Sequence, residues 1–181
     1  DIVITPSPAL QGGNAHISLQ VKNSGTATGT NVKVNFYNGA PDHGGVLIGS
    51  QSLPVVNPGG NVTAATDWFD IAETGGRIIY VRVDPENAIQ EITRDDNDAF
   101  TTLSILSLPD LAISSNAIVL TPAMPKDGDN VAIAVTVQNN GEQDAVNVAV
   151  QVKEGGTAIG SAVILLVKGH SQSIATIQCN A

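Results

Sequence analysis

The chain reads ISLQVKNSG at residues 17–25 and IAVTVQNNG at residues 133–141. Both segments place an apolar residue at every second position and then turn at Asn-Ser-Gly or Asn-Asn-Gly. An alternation of period two with one apolar face is typical of a half-buried antiparallel strand, and Asn and Gly tolerate the positive φ angles of a tight turn. The two segments therefore predict the same core-covering strand twice in one chain.

These strands belong to a longer internal repeat. A shift of 116 residues aligns residues 2–39 with residues 118–155 without a gap, and 14 of these 38 positions are identical. The following loops differ in length by five residues, after which Ile48 aligns with Ile159 and Trp68 aligns with Cys179. Self-similarity of this kind indicates two tandem copies of one domain.

Further short strands extend each copy. Apolar and polar residues alternate in residues 32–36, 62–68, 79–83 and 146–152, with Gly- and Pro-containing turns between them. The sequence thus predicts an all-β chain of two tandem immunoglobulin-like antiparallel β-sandwiches. The first domain is expected at residues 1–107, with a short first strand, and the second at residues 108–181, joined by the Pro-containing connection at residues 107–111.

The composition narrows the classes of function. The 181 residues include 8 Lys and Arg against 17 Asp and Glu, which gives a net charge of −9. A nucleic acid is therefore not an expected partner, because its phosphates require a basic face. Membrane insertion is not expected either, since no apolar run approaches the roughly 18 residues of a membrane span. The single cysteine, Cys179, cannot form an intrachain disulfide.

Two stretches carry a resemblance to a known family: residues 109–152, from PDLAISSNAIVLTP to VNVAVQV, and residues 75–98, GGRIIYVRVDPENAIQEITRDDND. They resemble the opening strands and the closing strand pair of CARDB, the cell-adhesion-related domain found in bacteria and archaea. The positions that match the closing pair are Asp84, Pro85, Asn87, Ile89, Glu91 and Asn97. Asp96-Asn97-Asp98 departs from the paired asparagines that are more frequent in that family. The resemblance implies an immunoglobulin-like module of surface or secreted proteins, frequently in arrays, with no shared catalytic residue.

A run of carboxylates is a candidate metal site. Oxygen ligands in a loop can hold Ca²⁺, and the candidate ligands are Asp84, Glu91, Asp95, Asp96 and Asp98. Their spacing is not that of an EF-hand loop. Asp84 before Pro85 and Asn87 also predicts a turn that the Asp84 side chain caps, which is the structural alternative. No further cofactor is indicated.

Several single residues have competing interpretations. The histidines His16, His43 and His170 lack the spacing of metal ligands and are interpreted as solvated. Trp68 is predicted to plug the first core, and Cys179 at the equivalent position is either a small buried hydrophobe or a reactive thiol. Asn61 begins the sequon Asn-Val-Thr and is a candidate glycosylation site.

The second copy is expected to be truncated at its C-terminal end. It has no counterpart of residues 71–104, which include the predicted closing strand pair. Either the chain is a fragment of a longer array, or the strands arrive from a neighbouring subunit by strand addition. The sequence leaves both alternatives open. The expected partner is protein, namely copies of the chain itself or neighbouring repeats.

No nucleophile with a base, no acid–base pair and no phosphate-binding loop is visible, so no catalytic residue and no enzymatic activity are predicted. We expect an extracellular or cell-surface spacer, adhesive or self-assembling element of a filament or surface array. The alternative is an accessory or carbohydrate-binding module of a larger secreted hydrolase. Sugar binding usually needs exposed aromatic rings, and the few candidates, with Trp68 assigned to the core, are Phe36, Tyr37, Phe69, Tyr80 and Phe100. These are too few to predict a stacking platform.

Overall fold

Segments of alternating apolar residues form strands throughout residues 1–180, which are the residues that the computed structural model describes. Strands account for 59% of the chain and helix for 3%. The two short 3-10 helices are Pro41–His43 and Ser115–Ala117. The strands are β1 Val3–Thr5, β2 Ala9–Leu10, β3 Ala15–Lys22, β4 Gly29–Asn38, β5 Val46–Val56, β6 Asn61–Trp68, β7 Gly75–Val83, β8 Asp98–Leu106, β9 Leu111–Ala112, β10 Ile118–Thr121, β11 Asn130–Asn139, β12 Ala145–Glu154, β13 Thr157–Val167 and β14 Ser171–Asn180.

The chain divides into two compact units, unit 1 at Asp1–Leu106 and unit 2 at Ser107–Ala181. In unit 1 a sheet in the order β1-β3-β6 faces a sheet in the order β2-β8-β7-β4-β5. Every pairing is antiparallel except the two-residue parallel contact of β2 with β8. Between the sheets lies a core built from the inward residues of both, among them Ile17, Phe36, Ile79 and Leu103. The predicted immunoglobulin-like sandwich is confirmed.

Unit 2 repeats part of this arrangement. Its first sheet has the order β10-β11-β14, with β9 beside the end of β11, and its second sheet is the pair β12-β13. A second core lies between them and includes Val131, Ile133, Val150 and Ile177. Within residues 107–180 there is no counterpart of β7 and β8.

The strand registers show that the repeat is structural and not only sequential. Ala15 pairs with Trp68 in unit 1, and Val131 pairs with Cys179 in unit 2, as the alignment of the copies requires. The β4–β5 and β12–β13 hairpins agree as well, because Val32 pairs with Leu53 and its counterpart Val148 pairs with Ile164. The length difference between the copies is therefore confined to the hairpin loop.

One asparagine amide, buried in unit 2 and half-buried in unit 1, links the sheets of each unit at the same place. In unit 2, the Nδ2 group of Asn139 donates to the carbonyl oxygens of Gln143 and Val167, at 2.8 and 3.2 Å, and its Oδ1 accepts from the backbone N–H of Gly141 at 3.1 Å. Asn23 makes the three equivalent bonds in unit 1, to Ala27, Val56 and Gly25. Since Val167 ends a strand of the opposite sheet, the amide links the two sheets and closes the turn after β11.

We predict that Asn139→Ala destabilises unit 2 by about 1–3 kcal/mol, because it leaves buried carbonyl and amide groups without partners. The chain carries a natural probe for each unit: Trp68, its only tryptophan, and Cys179, its only cysteine, both pack against their cores. Urea titrations that follow thiol labelling of Cys179 and fluorescence of Trp68 therefore separate the two units.

The urea midpoint measured by Cys179 labelling should be lower for Asn139→Ala than for the original chain. The midpoint measured by Trp68 fluorescence should not change. Asn140→Ala is the matched control, because the Asn140 side chain is exposed and the hydrogen bond from Asn140 to Asp110 joins backbone atoms only. Equal effects of the two substitutions would contradict the role of the buried amide.

Candidate functional site

The loop between β7 and β8 contains the carboxylates considered for calcium, and its first one is committed to the backbone. Asp84 is buried, with a left-handed φ of 45°. Its two carboxylate oxygens accept the N–H groups of Ala88 and Ile89, each at 2.9 Å. This is the capped turn that the sequence offered as the structural alternative.

Asp98 belongs to a different group, centred on Arg82 on the outer face of the five-stranded sheet. The Arg82 guanidinium donates to Asp98 at 2.8 and 2.9 Å and to both oxygens of Asp42, at 3.0 and 2.7 Å. The Tyr80 hydroxyl also donates to Asp98, at 2.6 Å. Sequence reasoning missed this network, because Asp42, Arg82 and Asp98 come from three separate segments that meet only through strand pairing.

The network changes the acid–base properties of its members. Hydrogen bonds from Arg82 lower the pKa of Asp98 and the pKa of Asp42, because they stabilise the ionised carboxylates. The hydrogen bond to Asp98 raises the pKa of Tyr80, since it favours the protonated phenol. The two carboxylates in turn raise the pKa of Arg82, which remains a cation. At the edge of the same loop, Lys33 pairs with Glu86, and this contact raises the pKa of Lys33.

The remaining calcium candidates do not join these residues. Glu91 accepts a hydrogen bond from Asn97 at 2.7 Å and lies 3.9 Å from Arg94, while Asp95 and Asp96 are exposed. In residues 1–180 no group of three or more His, Cys, Asp or Glu side chains is arranged to hold a metal ion. The five candidates thus lie in or beside the loop between β7 and β8, but Asp84, Glu91 and Asp98 have separate hydrogen-bond partners and Asp95 and Asp96 are exposed.

The other single residues are placed as follows. Asn61 is exposed at the start of β6 and pairs across the sheet with Lys22, so its side chain is open to modification. His16 is exposed and lies 2.7 Å from Asp67. His43 lies in the first 3-10 helix, and His170 occupies a turn with φ 52°. Trp68 and Cys179 are each half-buried against the core of their own unit.

The edge of β12 is the most distinctive feature of unit 2. In unit 1 the central strand β4 pairs with β5 on one side and with β7 on the other, whereas β12 pairs with β13 alone among residues 107–180. The Asp84 N–H donates to the Lys33 carbonyl across the β4–β7 edge. Backbone groups of alternate residues point to the same side of a strand. The equivalent groups of Ala149 and Gln151 therefore point to the unpaired edge.

An apolar groove adjoins this edge. Its volume is about 330 Å³, and its walls include Leu111, Ile113, Val137, Val148 and Val150. Leu111 and Ile113 are exposed. The groove and the unpaired edge together form the surface that we call the open edge.

One comparison with known proteins, the family model, identifies the family. The CARDB family model matches residues 1–102 and 108–179. A similar solved structure is the crystal structure of a Pyrococcus furiosus CARDB domain in complex with di-metal ions, with 22% identity, 58% of this chain and 87% of that chain covered, and a TM-score of 0.47. Another is the solution structure of a Geobacter metallireducens protein, with 28% identity, 58% and 91% covered, and a TM-score of 0.48. No curated protein matches the chain significantly.

Within residues 1–180 no helix has the length and apolar character needed to cross a membrane.

We predict an acid-dependent contribution of Arg82 to the stability of unit 1. The lowered pKa of Asp98 means that its stabilising effect is present above the unfolded-state pKa of about 3.9 and is lost as pH falls through the lower folded-state value. Melting curves followed by Trp68 fluorescence should therefore show a gap between the original chain and Arg82→Gln that is widest near neutral pH and narrows below about pH 4. Lys22→Gln removes an exposed cation from β3 as a control and should give a smaller, flatter gap. A gap for Arg82→Gln that did not vary with pH would contradict the prediction.

We also predict that millimolar calcium leaves the melting temperature of unit 1 nearly unchanged, because Asp84 and Asp98 are already engaged by N–H groups and by Arg82. Extracellular calcium modules bind with dissociation constants of about 10⁻⁴–10⁻³ M, so this concentration is a fair test. A chelator-reversible increase that disappeared in Asp95→Asn/Asp96→Asn would contradict the prediction and establish a calcium site.

Proposed function

The chain belongs to the CARDB family, with two tandem copies of the domain, and we propose that it is a non-catalytic extracellular spacer whose unit 2 binds, along β12, a strand pair of the kind that β7 and β8 form in unit 1. The observation that carries this proposal is the open edge. CARDB domains are non-catalytic, cell-surface-associated modules. Accordingly, we expect no hydrolase or transferase activity from the chain.

The backbone of β12 supplies the first part of the argument. An unpaired strand edge presents a row of N–H and C=O groups that another strand can bind, and proteins usually protect such edges. In β4 the same edge is occupied over Val34–Asn38, which pair with β7. In β12 the counterparts carry charge only at the end, at Lys153 and Glu154. The middle of the strand therefore has no charged side chain that would disfavour pairing with another strand.

Side chains supply the second part. In unit 1, β7 and β8 contribute four core residues that are almost completely buried, namely Ile79, Val81, Leu103 and Ile105. Ile2 and Ile4 are partly buried against the same core. Their counterparts in unit 2, Ile118 and Leu120, are 46% and 40% exposed. Burial of apolar surface contributes about 25 cal/mol per Å², and this exposed surface favours an incoming strand pair with apolar residues on one face.

The occupant is thus a strand pair with the chemistry of β7 and β8. Main-chain hydrogen bonds to β12 give the affinity of such a complex, and the groove selects alternate apolar side chains. A closed sandwich in each repeat is what the mechanical role of a spacer requires.

To test the proposal, we would titrate the full chain into a fluorescently labelled peptide of residues 75–106. We expect saturable one-to-one binding by anisotropy, together with slower amide hydrogen exchange in the middle of β12. The peptide with Ile79→Asp should bind at least about tenfold more weakly, because it would bury an unpaired charge.

Two variants at one position separate edge pairing from general adhesion. Gln151→Pro removes an N–H group from the open edge, whereas Gln151→Ala keeps it. Binding should be lost in the first and retained in the second, with Cys179 labelling in native buffer as the check that unit 2 stays folded. Failure of the peptide to bind at millimolar concentration, or equal binding by both variants, would reject strand addition.

A further inference from the structure

Four outward side chains form a continuous row across the larger sheet of unit 1. Tyr37 is the cross-strand partner of Leu47 on β5 and of Tyr80 on β7, and Tyr80 is the partner of Phe100 on β8. We call these four residues the aromatic row. Neighbouring strands are about 4.8 Å apart, so the row spans roughly 14 Å. The sequence shows few aromatic residues, but the strand register gathers three of them at one level of one face.

The two ends of the row are exposed, Tyr37 and Tyr80 between them are half-buried, and the stacked rings are held in place. Phe100 is 70% exposed, and Leu47 is also exposed at the other end. The rings of Tyr80 and Phe100 are stacked with 9° between their planes and centroids 6.2 Å apart. Arg82 lies 5.7 Å from the centroid of the Tyr80 ring, and its own bonds to Asp42 and Asp98 fix its position. A ligand would therefore meet an ordered apolar surface at little entropic cost.

A polar row runs beside the aromatic row, one outward position along β4, β7 and β8. It contains Asn35, which donates to the Tyr37 hydroxyl at 2.8 Å, Arg82 and Asp98. Asp42, from the first 3-10 helix, joins the row through its hydrogen bonds with Arg82. Carboxylate oxygens that already accept one hydrogen bond can accept another. With one cation and two carboxylates, this row carries a net negative charge, and the whole chain has a charge of −9. Anionic ligands are thus disfavoured, whereas neutral hydroxyl groups are suitable donors.

Unit 2 shows that the fold does not require the aromatic row. The counterparts of Tyr37 and Leu47 are Lys153 and Ala158, which occupy the same cross-strand pair in the β12–β13 hairpin. This hairpin keeps its register with a lysine and an alanine at those positions. Cross-strand stabilisation of the hairpin therefore does not account for the aromatic side chain of Tyr37 in unit 1.

From these observations we propose that the aromatic row binds a neutral, linear oligosaccharide. The C–H faces of the sugar rings pack on Phe100 and Tyr37, because aromatic faces carry negative charge and these C–H groups are weakly positive. Tyr80, which stacks on Phe100 and has Arg82 over its ring, holds Phe100 in place. The hydroxyl groups donate to Asp98 and Asp42. A row one side chain wide suits an extended saccharide better than a protein, since a stable protein interface buries about 800 Å² on each partner. The site lies in unit 1 and does not depend on strand addition to unit 2.

The test is calorimetric titration of the full chain with three neutral hexasaccharides: cellohexaose, chitohexaose and the more curved maltohexaose. We expect saturable binding of at least one of the two flat β-1,4-linked sugars and weaker binding of maltohexaose. Ring proton resonances of Phe100 and Tyr80 should shift during the titration.

Phe100→Ala should weaken binding about three- to tenfold. Phe69→Ala is the matched control, because Phe69 is 64% exposed outside the row and its loss should leave the affinity unchanged. Three results would overturn the proposal: no binding of any hexasaccharide at millimolar concentration, equal weakening by both substitutions, or self-association of the chain that Phe100→Ala abolishes, which would make the row a protein interface. Because the β7–β8 peptide binds elsewhere, Phe100→Ala should not alter peptide binding, and the two proposals can fail separately.

Discussion

The side chain amides of Asn23 and Asn139 fix the relation between the two sheets of each unit. Each amide donates to the last carbonyl of a strand in the opposite sheet, and it also closes the turn from which the next long strand begins. Aromatic residues are scarce and the cores are built from small aliphatic side chains, so packing alone constrains the sheets weakly. A fully satisfied buried polar group, by contrast, favours one arrangement, because every alternative leaves its donors and acceptors unpaired.

With the sheets so fixed, the difference between the units follows from one strand edge. β4 has neighbours on both sides, which extends its sheet to five strands and encloses a large ring, Phe36, in the core. β12 has one neighbour among the described residues, and the smaller Val152 at the position of Phe36 is only partly buried. Within the described residues, unit 1 thus has a closed core and unit 2 has an open edge.

Much of this was readable in the sequence, since alternation in residues 15–21 and 131–137 predicts strands and the repeat predicts their equivalence. The capped turn at Asp84 was also readable, because its residues are adjacent in the chain. The Arg82 network and the aromatic row were not. Both depend on which residues face each other across strands. Hairpin loops and bulges set this register, as the shift between Phe36 and Tyr37 shows, and no local sequence pattern predicts it.

Comparison of the two units distinguishes the residues that the fold requires from those that are specific to one unit. Identical residues in the copies include Asn23 and Asn139, whose amides link the sheets, and the turn glycines Gly25 and Gly141. Positions that differ include outward residues of β3 and β4 such as Ser18, Gln20 and Lys33, where substitution costs little stability. An exposed Phe100 lies on a strand that unit 2 lacks within its described residues, and Tyr37 faces solvent where the other copy has lysine. Since a solvated aromatic ring contributes less to folding than a buried one, the stability of the sandwich does not account for these rings, whereas the proposed contact with a ligand does.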